Sequence, residues 1–185
     1  ALWFNVKKNT EISLSLRKMR PHAETIRKIY WVGVPSVIMQ AIGSIMTYGM
    51  NRILSPVSTT AVAVFGVYFK LNSFIFMPVF GLNNGLIPII SYNFGARKKE
   101  RIIESVRFSL MIAVSIMIVG LCVFLTIPDK LLLLFDASPN MLEIGVPALR
   151  IIGTHFILAG VSIVLMSTFQ AFGEGFLSLT VSVLR

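Results

Sequence analysis

Few side chains in this sequence can do chemistry, and three of them, Gln40, Lys70 and His155, stand inside long apolar runs. A carboxamide as large as that of Gln40 needs hydrogen-bond partners. An ammonium deep in a membrane span costs at least about 2.5 kcal/mol on insertion scales, so Lys70 is expected to reach water, a carboxylate or carbonyls inside a bundle. Snorkelling to the outer interface is the competing reading. His155 carries the side chain that changes charge nearest neutral pH, which makes it a candidate for proton-linked behaviour. A neutral imidazole hydrogen-bonded between helices is the plainer alternative.

The spacing around these residues matters more than their types. Gly33, Ser36, Gln40, Ser44, Thr47 and Asn51 recur at steps of three and four and share one helical face, with Gly43 beside it. Ala63, Gly66, Lys70, Ser73, Met77, Gly81 and Asn84 form a second such stripe, with Phe65, Phe69, Phe76 and Phe80 largely on another face. His155, Ala159, Ser162, Met166 and Gln170 form a third. A helix that lines an aqueous path needs a polar stripe of this kind, whereas one that faces only lipid and neighbours does not. The candidates for a substrate cavity are therefore Gln40, Ser44, Thr47, Lys70, Ser73, Met77, Asn84, His155, Ser162 and Met166. Close helix packing through small residues is the competing explanation for the glycines and serines. Around 108–128 only Ser109, Ser115, Cys122 and Thr126 interrupt the apolar surface, so that helix is expected at the periphery.

Other chemistry has no footing. No acid lies near the centre of an apolar run, no HExxH or paired-carboxylate motif occurs, and neither histidine has a cysteine, aspartate or second histidine at ligand spacing. An enzyme is not expected, nor a cofactor, and no metal can be assigned. The glycines of 81–95 lack the GxxxxGK pattern of a phosphate loop. The single cysteine, Cys122, excludes an internal disulfide and a thiolate metal site, and reads as a small packing residue.

These residues need long helices to position them, and the composition supplies them. The chain is 55% hydrophobic and 14% charged, with a mean hydropathy of +0.80, against roughly a quarter charged in soluble domains. About 20 apolar residues cross a bilayer. Runs at 29–50, 59–86, 108–128 and 141–172 qualify, and 176–185 starts another that is too short to cross. The net charge of +9 would suit a nucleic-acid binder if it were gathered on one water-facing surface. It lies instead in short strips between apolar runs, so the expected partner is the lipid bilayer and no nucleic acid is expected. Lys7, Lys8, Arg17, Lys18, Arg20, Arg27 and Lys28 precede the first run, and Arg97, Lys98, Lys99, Arg101 and Arg107 separate the second from the third. The opposite connections hold Arg52 alone, and Lys130 against Asp129 and Asp136. By the positive-inside rule, 1–28 and 97–107 are expected in the cytoplasm of a multi-pass cell-membrane protein. Within the basic loop 1–28, the stretch 21–28 reads either as a short interfacial helix or as irregular chain, and 87–107 reads as a basic connection. A start without methionine and a stop inside an apolar run are expected of a piece of a longer polytopic protein.

The stretch GLNNGLIPIISYNFGARKKERI at 81–102 strongly resembles the end of the second helix of a half-transporter in the multidrug and toxic compound extrusion (MATE) family. IYWVGVPS at 29–36 looks like the approach to such a half, with its Gly-x-Pro, and Leu149, Arg150 and Ile151 with FQAFG at 169–173 match its later part. The resemblance covers essentially the whole chain. It implies an all-α polytopic fold, part of a six-helix bundle that is one half of a twelve-helix transporter, with the present sequence as loop 6-7, helices seven to ten and the start of eleven. It implies a secondary active antiporter that exports organic, often cationic, compounds in exchange for sodium ions or protons by alternating access. Its partners would be small organic substrates and the N-terminal half of the same chain. Some family members bind the coupling cation on carboxylates of the seventh and tenth helices, where this sequence offers Gln40 and His155. The resemblance therefore leaves the coupling ion open between sodium and proton. A lipid-linked precursor flippase of the same wider superfamily is the alternative, and a non-transporting membrane enzyme or structural subunit the more distant one.

Overall fold

The structure, a computed structural model, describes residues 22–184, and what the sequence suggests for 1–21 lies outside the described residues. All regular structure among the described residues is helical: α1 Ala23–Leu54, α2 Thr59–Gly95, α3 Lys99–Thr126, α4 Pro128–Leu133, α5 Pro139–Gly153, α6 Phe156–Ala171 and α7 Gly175–Leu184. The chain forms two units, 1–31 and 32–185. In the first, residues 22–31 are exposed, and Lys28 Nζ meets Glu24 Oε1 at 2.7 Å across one helical turn. Helix is thus the outcome for 23–28, where the sequence left helix and irregular chain open.

In the second unit the helix ends follow local chemistry. Ser58 caps α2, its Oγ accepting from the Thr60 N–H at 3.1 Å. Ser138 does the same for α5, followed by Pro139 at a position whose N–H no helix needs. The sequence ended the second apolar run at 86 and began a connection at 87, yet α2 continues through Pro88 to Gly95. Proline removes one ladder bond. The face on either side of it, Leu86 at 3% exposure before and Ile90 at 0% after, remains packed in the bundle and holds the helix together. The helix then closes with Lys98 N–H donating to the Asn93 carbonyl and Arg97 N–H to that of Phe94. Arg97, at φ 56°, takes the left-handed position, rather than the glycine at 95. Gly173, at φ 82°, closes α6 in the same way, where its lack of a Cβ removes the steric cost.

The run 141–172 is two helices, α5 and α6, bent by 48° at Thr154 and His155. The Thr154 hydroxyl donates to the Ile151 carbonyl at 2.7 Å, and the His155 Nδ1 sits against that of Ile152. Side-chain bonds of this sort compete with the helical ladder and bend it. Gly153, at the bend, lies so close to Phe124 that an added methyl would stand 3.2 Å from its Cβ.

The core joins α2, α3, α5 and α6 through Val79, Ile90, Met117, Phe124, Leu149 and Phe156, all at 0% exposure. Helix α3 contributes one face to it, through Ala113, Met117, Gly120 and Phe124, while Ile103, Phe108, Met111 and Val119 on its other side are exposed. Its glycine and alanine face admits close neighbours without any polar stripe: a methyl on Gly120 would meet Ile75 Cγ2 at 2.7 Å. Cys122, expected to pack, is exposed on the same helix. The glycines of α1 and α2 behave in the opposite way, because Gly33, Gly43, Gly49, Gly66, Gly81 and Gly85 all face empty space. Three helices, α1 to α3, are long and apolar enough to cross a membrane, and four spans result if the bent α5–α6 pair is one.

Candidate functional site

Helix α1 meets the bundle where the Ser178 hydroxyl of α7 approaches Met39 Sδ at 3.6 Å and where Met50 and Leu54 pack on the core. Between α1 and α2 an open groove of about 580 Å³ is left, lined by Gln40, Gly43, Ser44, Thr47, Tyr48, Asn51 and Phe69. The structure thus brings three of the candidates, Gln40, Ser44 and Thr47, to one side of a shallow, open depression. An adjoining hollow of about 430 Å³ shares Tyr48 and Asn51 and adds Arg52, Ser55 and Pro56. The Thr47 hydroxyl donates to the Gly43 carbonyl at 2.9 Å, so only its lone pairs are left for a ligand.

The second stripe lies along the uncovered side of α2. Ala63, Gly66, Lys70, Ser73, Met77, Gly81 and Asn84 are all exposed, while Phe65 and Phe76 of the aromatic face are buried. Ser73 resembles Thr47 in donating to a carbonyl one turn back, that of Phe69 at 2.8 Å. Lys70 meets no carboxylate among the described residues; its Nζ lies 5.7 Å from the centre of the Phe135 ring in the connection between α4 and α5. The face of that ring is thus within cation–π distance of the ammonium.

The third stripe is divided by the bend. His155 is exposed at the break, its ring stacked on Phe76 with centroids 6.5 Å apart and edge-on to Phe156 at 5.3 Å. Ala159 is buried, and Ser162, Met166 and Gln170 are half-buried. Ser162 donates to the Leu158 carbonyl at 2.8 Å, and the backbone carbonyl of Met166 accepts from Ser178 at 3.0 Å. Ser162 thus bonds within its own helix, Met166 meets α7 through its backbone, His155 is held among aromatic rings, and none of the three lines the α1–α2 groove.

Sequence reasoning missed Tyr48, Arg52 and Ser178. Tyr48 follows Ser44 by one helical turn and was within reach of the stripe's own spacing. Ser178 gave no signal, because its role depends on where α7 folds back. Among the described residues no cluster of three or more histidines, cysteines or acids could hold a metal ion.

Several known proteins resemble this chain in sequence or in shape. The multidrug export protein MepA of Staphylococcus haemolyticus is 24% identical over 169 residues, 91% of this chain and 37% of the relative. MepA of Staphylococcus aureus is 26% identical over 178 residues, 95% of this chain and 39% of the relative. The chain therefore spans about two fifths of the length of these relatives. The solved structure of an outward-facing multidrug resistance MATE family transporter of the MOP superfamily superposes with a TM-score of 0.88 at 24% identity, covering 100% of this chain and 42% of that one, and establishes the fold. Apolar helices of spanning length in that fold make this a multi-pass membrane protein. A family model, MatE, matches residues 35–185, through the helices that carry every candidate residue, and the chain accordingly belongs to the MatE family.

Proposed function

We propose that the chain forms part of a secondary active antiporter, which exports small organic, often cationic, compounds in exchange for sodium ions or protons by alternating access. The observation that carries this reading is the α1–α2 groove: Gln40, Ser44 and Thr47 share a wall of a ligand-sized hollow, and the stripe of α2 beside it is uncovered along its length. A polar face held open on a helix of spanning length is what an aqueous path requires. In this reading the open faces of α1 and α2 line one side of a central cavity, a second bundle closes the other, and 1–28 and 97–107 lie in the cytoplasm of the cell membrane. From 25 to 99 the sequence has no Asp or Glu, so the counter-charge for a cationic substrate comes from elsewhere in the protein.

The test is efflux of a fluorescent organic cation from vesicles holding the full-length protein, driven in turn by a sodium and by a proton gradient. Gln40→Ala, Lys70→Ala and His155→Ala each lower efflux while membrane insertion is retained. Unchanged efflux in all three would remove the case for these residues. Efflux that follows neither gradient would remove the antiport reading.

A further inference from the structure

The two hollows beside α1 differ in chemistry along their length. The outer one is lined by Arg52, Tyr48, Asn51 and Ser55, residues whose side chains can all donate hydrogen bonds, together with Pro56. Arg52 has no carboxylate within ion-pair reach among the described residues. A guanidinium is always charged and presents a fork that fits carboxylate or phosphate oxygens. The inner hollow is less polar on its α2 side, with Phe69 39% exposed, and Gly43 leaves open space where a side chain would stand. Because both hollows include Tyr48 and Asn51, one elongated molecule can occupy them together. Each has a volume within the ordinary range of ligand pockets. No acid occurs from 25 to 99, so neither wall carries a charge that would repel an anion.

We propose that the α1–α2 groove binds a single-chain amphipathic anion, with its acid head beside Arg52 and its hydrocarbon chain along Gly43 and Phe69. The inference deepens the transport reading by naming a substrate class for the same surface, and rests on it for what happens to the ligand after binding. A two-chain phospholipid has twice the hydrocarbon to house in the same space, which favours the single-chain occupant. Arg52 also lies in the last turn of α1, where any cation offsets the partial negative charge of the helix end. That structural role alone would give no preference among ligand head groups.

The experiment measures equilibrium binding to the full-length protein in phosphatidylcholine nanodiscs, with dodecyl phosphate as probe and dodecanol and dodecyltrimethylammonium as head-group controls. Dodecyl phosphate binds tightest. Arg52→Gln weakens it by about tenfold or more, the loss of roughly one charge-assisted contact, and Arg52→Lys keeps part of the preference. Dodecanol binding stays the same in both variants, which also reports that the groove remains folded. If Arg52→Gln fails to fold, Gly43→Leu serves instead: it fills the inner hollow and lowers binding of dodecyl phosphate and dodecanol alike. Equal affinity for the three head groups, undiminished binding in Arg52→Gln, or undiminished binding in Gly43→Leu would overturn the proposal. Displacement of dodecyl phosphate by phosphatidylglycerol in the nanodisc would overturn the choice of a single-chain occupant. Efflux is read separately: head-group-selective binding with no gradient-driven efflux of either the fluorescent cation or dodecyl phosphate sinks the transport reading alone, and efflux without such binding sinks this one alone.

Discussion

Asn83 is the residue whose environment departs furthest from its chemistry. It is 4% exposed, and neither its amide oxygen nor its nitrogen has a hydrogen-bond partner among the described residues. Its face of α2 is apolar, with Val79 and Ile90 at 0% exposure and Leu86 at 3%. An unsatisfied buried polar group costs about 1–3 kcal/mol. Asn83→Leu, which keeps the volume and removes the polar atoms, should therefore raise the unfolding midpoint of the full-length protein in detergent. A midpoint that falls would mean that the amide finds a partner in the full-length protein. The sequence singled out the neighbouring Asn84, which the structure leaves exposed. Adjacent asparagines point about 100° apart on a helix, and nothing in their flanks says which of the two faces in. Both surfaces of a membrane helix, toward lipid and toward its neighbours, are apolar, so hydrophobic periodicity does not report burial as it does in water.

The same ambiguity explains what was legible among the elements. Long apolar runs announced α1, α2 and α3, because length and the near absence of charge suffice for a span. Polarity was then a poor guide to which helix lies inside. Helix α3 lacks a stripe and still packs one face into the core, while α1 has one and stands beside an open groove. Small residues are the better signal, but only where they meet a neighbour: a methyl on Gly160 would stand 2.7 Å from Met117 Cγ, whereas one on Gly66 meets nothing within 4 Å. Gly160→Ala should destabilise the full-length protein by about 1–3 kcal/mol, since crowding in a packed core outweighs the roughly 1 kcal/mol gained in helix propensity. Thermal unfolding in detergent checks this, and a rise in midpoint would mean that the α3–α6 contact yields easily. The break between α5 and α6 was hidden for a different reason. Thr154 and His155 bend the helix by bonding to carbonyls three residues back, and a polar pair in an apolar run reads equally well as a stripe.

At the scale of the whole molecule, the placement of Arg52 and Lys70 depends on which way the helices run. The loops carry that information in their charges: Arg97, Lys98, Lys99 and Arg101 crowd the turn from α2 to α3, whereas Arg52 is alone between α1 and α2. Basic residues in short loops are retained on the cytoplasmic side during insertion. Lys70 bends toward Phe135, in the connection after α4, at the end of the bundle opposite that basic turn. Its cation thus lies toward the end of the bundle with the less basic connections. Single cysteines placed in a full-length protein freed of its own cysteines, Cys122→Ser included, test this arrangement in intact cells with a membrane-impermeant maleimide. Ser55→Cys and Ser138→Cys should label in intact cells, and Lys99→Cys only after permeabilisation. The reverse pattern would place Arg52 and its hollow on the cytoplasmic side, where an amphipathic anion would have to arrive from within the cell. Labelling at all three positions before permeabilisation would mean that the turn from α2 to α3 is reached from outside, and that the charges of 97–107 do not set the topology.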